Sequence, residues 1–110
     1  MNAKAVKSTQ RLMRLMTAIV DGTGTAALSG LCASDMTLTD QGTGDYLLTF
    51  DVPYARAPQV IATPVTDNIV CKVGTVGVGS VQILTENLSG SATDADFHVF
   101  VLGSDAEDAI

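Results

Sequence analysis

The sequence predicts an all-β protein: a single antiparallel β-sandwich or jelly-roll-like domain of about seven or eight strands, with an extended N-terminal arm. Three observations carry this. Short apolar runs recur roughly every ten residues, separated by clusters of Gly, Asp, Asn and Thr. The 110 residues are 46% apolar but only 16% charged, and ten are glycine, a mixture that suits strands joined by tight turns. No alternation of strand and helix patterns appears, which excludes a βαβ architecture. The length fits one domain with a core large enough to fold without staples. The expected boundaries are a basic arm at 1–10, the sandwich at 11–105 and an acidic tail at 106–110.

Residues 1–10 are polar, basic and without period, as expected of an arm. Residues 11–20, RLMRLMTAIV, fit two patterns. Leu12, Leu15, Met16 and Ile19 make a helical stripe, whereas Met16, Ala18 and Val20 alternate with Thr17 and Ile19. A strand from about Met13 is preferred, because Asp21-Gly22-Thr23-Gly24 follows as a turn. Residues 25–31 are expected to be a short strand. Residues 36–39 and Tyr46 to Val52 form a hairpin around the turn at 40–45, with Tyr46, Leu48, Phe50 and Val52 facing inward. Pro53 ends it. Gln59 to Val65 contains Pro64, which confines this strand to an edge or interrupts it. Further strands are expected at 69–73 and 80–85, around a glycine-rich link at 74–79.

The last strand, within Ala92 to Gly103, organises the others. Ala95, Phe97, Val99 and Val101 fall on one side, and Asp96, His98, Phe100 and Leu102 on the other. A strand between one core and water alternates throughout; this one becomes apolar on both faces. Its second face is therefore expected to meet another layer or another chain, with His98, Phe100 and Leu102 as the oligomer contact.

Net charge is −6, with six basic and twelve acidic residues. Lys4, Lys7, Arg11 and Arg14 lie within the first fourteen residues with no acid among them. Such asymmetry points to a partner for the arm. The acidic body excludes nucleic acid as its partner, since phosphate is repelled. No apolar stretch is long enough for a membrane helix. Arg14 interrupts the only run resembling a signal peptide, so synthesis in the cytosol is expected. Cys32 and Cys71 lie among small or apolar residues with no zinc spacing, and are expected to be free and buried.

No residue set carries an enzyme's chemistry, and neither a cofactor nor a metal is expected. Asp21-Gly22-Thr23-Gly24 places glycine where the aspartic-protease signature needs a hydroxyl residue, so it reads as a turn. Asp94 and Asp96 share a D-x-D spacing, but calcium needs more oxygens than they supply. They read as solvated acids at a strand entrance. His98 lacks a neighbouring nucleophile motif. The glycines at 74–79 lack the Lys-Ser/Thr ending and following helix of a phosphate loop. Asn87-Leu88-Ser89 matches a glycosylation acceptor, which matters only after secretion.

Residues 42–64, GTGDYLLTFDVPYARAPQVIATP, resemble a small β-sandwich module of tailed-bacteriophage virion proteins. So do 94–105, DADFHVFVLGSD, and 18–26, AIVDGTGTA. The resemblance spans most of 18–105, and its motifs are structural. It implies a homotrimeric, non-enzymatic virion protein, assembled in the host cytoplasm. A stand-alone domain with one basic arm fits a head decoration or cement protein, bound to the major capsid protein through Lys4, Lys7, Arg11 and Arg14. The alternative is a receptor- or carbohydrate-binding module of a tail fibre or spike. Sugar sites stack rings on exposed aromatics, and Tyr46 and Tyr54 are the only tyrosines.

Overall fold

A computed structural model describes residues 13–105; the Lys4, Lys7 and Arg11 expectations and the tail at 106–110 lie outside them. Eight strands form: β1 (Met13–Asp21), β2 (Ala27–Ser29), β3 (Met36–Gly42), β4 (Asp45–Phe50), β5 (Gln59–Pro64), β6 (Ile69–Val76), β7 (Ser80–Asn87) and β8 (Phe97–Ser104). A single 3-10 turn, Ala33–Asp35, precedes β3. The strands make two four-stranded antiparallel sheets, ordered β2-β1-β8-β5 and β3-β4-β7-β6. This is the expected β-sandwich.

Period-two patterning explains the packing. Met16, Ala18 and Val20 of β1 and Phe97, Val99 and Val101 of β8 are buried from one sheet. Tyr46, Leu48 and Phe50 of β4 and Val81 and Ile83 of β7 meet them from the other. Each such side chain contributes about 1.5–3 kcal/mol by leaving water. Tyr46 and Phe97 pack across the layers, with ring centroids 5.3 Å apart. Phe50 and Tyr54 meet edge to face at the same centroid separation, 5.3 Å, and close the opposite end.

β1 is a strand from Met13, and Pro64 closes the edge strand β5, where its missing N–H leaves no ladder bond unmade. Four expectations are corrected. Val52 is not inward: β4 ends at Phe50, Asp51 N–H adds one last bond to Asp35 O at 2.9 Å, and beyond it Val52 is left 61% exposed. The glycine-rich link is largely strand, because β6 runs through a bulge to Val76 before Gly77 N–H bonds Ser80 O. β8 starts only at Phe97, so 92–96 are a loop. Both cysteines are free but only half-buried.

Asp94 and Asp96 are not simply solvated. Asp94 Oδ1 accepts Gly44 N–H at 2.8 Å and lies 3.1 Å from the Tyr46 hydroxyl. Asp96 Oδ1 accepts Gly22 N–H at 3.0 Å. The two carboxylates tie the loop before β8 to the turns after β1 and β3, replacing ladder bonds that irregular backbone lacks. Asp21 behaves as a turn residue: the Thr23 hydroxyl and amide both donate to its Oδ1, which holds the carboxyl below its usual range. Asn87 likewise accepts Ser89 and Ser91 N–H, at 2.9 and 3.0 Å, within a turn.

Candidate functional site

The outer faces of the two sheets differ in character. On the β3-β4-β7-β6 sheet, outward positions are Thr37, Thr39, Thr49, Gln82, Lys72 and Glu86, interleaved with half-buried Leu47 and Leu84 and with Val70. Gln82 Nε2 donates to Asp45 at 3.0 Å, and Lys72 pairs with Glu86 at 2.8 Å. This face mixes polar groups with isolated apolar ones, each flanked across the strands by a polar neighbour.

The other sheet presents an apolar band. Register sets three rows across β1, β8 and β5: Leu15, Leu102 and Gln59; then Thr17, Phe100 and Ile61; then Ile19, His98 and Thr63. Opposite Cβ atoms in an antiparallel pair stand roughly 5 Å apart, so Leu15 lies beside Leu102 and Phe100 beside Ile61. Leu15 is 57% exposed, Ile61 65%, Phe100 46%, Leu102 42% and Ile19 40%. A shallow groove of about 670 Å³ runs between Leu15, Ile61, Phe100 and Leu102. Taking roughly 200 Å² for a large side chain, the band offers on the order of 500 Å² of apolar surface, the size of the largest patch on a typical monomer, which is often a functional surface.

His98, Phe100 and Leu102 thus lie on one exposed face, as the sequence predicts. Leu15, Ile19 and Ile61 complete it and were not singled out. Their signal is that Leu15 and Ile19 alternate with the core residues Met16, Ala18 and Val20, which makes β1 apolar on both faces like β8. Sequence could not align them, because register is a tertiary property.

Arg14 departs from the arm expectation. It sits on the inward side of β1, where its guanidinium stacks 4.1 Å from the Tyr54 ring centroid. Nη2 donates to Val52 O at 2.6 Å, and Nη1 pairs with Asp105 at 3.4 Å. These contacts close the open end of the sandwich, so Arg14 belongs to the body.

Among the described residues, no group of three or more His, Cys, Asp or Glu is placed to hold a metal ion. Tyr46 and Tyr54 are both buried, so neither can stack on a sugar.

No family model, curated protein or solved structure matches this chain.

Burial pushes the Cys71 thiol up to about 11. The thiolate is the reactive form, so alkylation of Cys71 at pH 7.5 is expected to be at least about tenfold slower than that of a free thiol. Mass-resolved iodoacetamide kinetics measure this; a rate equal to glutathione's rejects it.

Proposed function

We propose that this chain is a structural assembly module, a non-enzymatic sandwich that forms a homotrimer through the outer face of β1, β8 and β5. In this reading it serves as a head decoration (cement) protein of a tailed-bacteriophage virion, seated on the major capsid protein. The observation that carries it is the band of Leu15, Ile61, Phe100 and Leu102 on one sheet, opposite a sheet whose outer face interleaves its apolar residues with threonines, Gln82 and the Lys72–Glu86 pair. A face of this kind gains stability when another chain removes it from water. With both tyrosines buried, Phe100 is the exposed ring on which the carbohydrate-binding alternative would rest.

Two measurements test the proposal. Multi-angle light scattering of the full chain is expected to give the mass of three copies at micromolar concentration; a stable single-chain mass removes the assembly reading. Cryo-EM of virions carrying the protein is expected to show density repeating over the capsid lattice, whereas density confined to the tail tip returns the fibre reading.

A further inference from the structure

A second surface lies at the edge of the same sheet. β2 covers only Ile19 to Asp21 of β1, and Thr17 O takes one further bond from Cys32 N–H at 3.1 Å. In an antiparallel ladder, the N–H and C=O of alternate residues point to the same side. The backbone groups of Met13 and Leu15 therefore point where β2 would continue if it were longer. Among the described residues, no strand meets them there. Unpaired edge groups are a template for an added strand.

This edge borders a cleft of about 230 Å³ lined by Arg14, Leu15, Cys32, Asp35, Asp51 and Val52. Asp35 and Asp51 are tied together by Asp51 N–H donating to Asp35 O at 2.9 Å, and both are exposed. Arg14 is already engaged by Asp105 at 3.4 Å, so two carboxylates face the cleft without a cation among the described residues. An occupant that fits would be extended, to satisfy the edge, and basic, to meet the carboxylates.

We propose that the occupant is residues 1–12 of a second copy of this chain, laid along the open edge of β1. The inference rests on the proposed self-assembly and adds the contact that links neighbours. Lys7 and Arg11 are four residues apart, so an extended segment places both on one side, with Val6, Ser8, Gln10 and Leu12 on the other. The segment carries no acid. It also contains neither glycine nor proline, the residues that would fold it sharply back onto its own β1. At about 3.3 Å per residue, ten residues span roughly 30 Å, enough to reach a neighbour. Each copy then donates one segment and accepts one, a heterologous contact that closes as a ring.

Cys32 lines the cleft and supplies the test. The full chain carrying Thr9→Cys, on the side of Lys7 and Arg11, and Cys71→Ser is oxidised with copper phenanthroline and run on a non-reducing gel. Covalent multimers are expected, and they should vanish when Cys32→Ala is added. In parallel, deletion of residues 1–10 is expected to weaken assembly at least about tenfold in sedimentation, and Asp35→Lys with Asp51→Lys should weaken it in the same direction. An assembled protein that cross-links only within single chains, or not at all, overturns the inference. So does a truncated chain that assembles as tightly as the full one, including one that has lost only its binding to purified phage heads, since the segment's partner is then the shell. If the full chain is itself a monomer, the assembly reading fails as well, so the two failures are distinguishable.

Discussion

Leu102→Asp is expected to reduce the light-scattering mass to that of a single chain and to leave the fold intact. Leu102 stands opposite Leu15 on β1 and Gln59 on β5, in the row next to Phe100 and Ile61. Among the described residues, none of the side chains in these rows is a cation that could meet a new carboxylate. If a second copy covers the band, the charge is buried unpaired, at an effective cost of several kcal/mol per site. Each kcal/mol matters, because about 1.4 kcal/mol shifts an association constant tenfold. In the separated chain the position is 42% exposed and faces away from Val99 and Val101, so the core should not register the change. The thermal midpoint of the separated variant should then match that of wild-type chain diluted below its dissociation constant. Thr37→Asp, on the outer face of the other sheet, is the control and should leave the mass unchanged. A Leu102→Asp protein that keeps the wild-type mass moves the interface elsewhere.

The contrast between the two faces was only partly legible in the sequence. Alternation within one strand assigns sides, and it placed Val99 and Val101 against Phe100 and Leu102 correctly. It does not say which residues of distant strands share a row. Leu15 and Ile61 join the band only because β1 and β5 flank β8 in the observed register, which brings Leu15 to Leu102 and Ile61 to Phe100 from distant parts of the chain. Arg14 was misassigned for a related reason. Its charge groups it with Lys4, Lys7 and Arg11, but its place on β1 turns it inward, where the Tyr54 ring and Val52 carbonyl wait. Val52 continued an alternating pattern, yet the strand ends at Phe50, and the next bond on its side is made by Tyr54 N–H to Val78 O. The D-x-D spacing was visible, but its role depends on Gly22 and Gly44 arriving from other turns.

That last arrangement makes the largest stability effects. Asp94→Ala is expected to lower the stability of the fold by about 2–4 kcal/mol, roughly 10–20 °C in melting temperature. The carboxylate accepts Gly44 N–H at 2.8 Å and stands 3.1 Å from the Tyr46 hydroxyl, which is also 3.2 Å from Gly22 O and accepts Ala95 N–H at 3.4 Å. Alanine leaves the Gly44 donor part-buried without its charged acceptor. Gly44→Ala strikes the same point sterically. Gly44 has a φ of 63°, and an added Cβ would meet the backbone oxygen of Thr85 and the backbone nitrogen of Thr93. Neither can move without breaking the Thr93 N–H bond to Thr85 O at 3.1 Å. Asparagine at position 94 keeps an acceptor without the charge and should recover part of the loss. The tyrosine adds a pH signature. Burial, with the Asp94 carboxylate beside it, pushes its phenol up to about 12. A group whose folded pKa lies above its unfolded one stabilises fully below the unfolded value and loses that contribution as pH rises. Stability should therefore fall between about pH 10 and 12. Tyr54, also raised by burial, falls with it, so Tyr46→Phe should lessen the alkaline slope without abolishing it. Urea melts at pH 9, 10, 11 and 12 read this directly. Equal slopes for wild type and Tyr46→Phe would mean that the phenol is already solvated, and that Asp94 holds the turn through Gly44 alone.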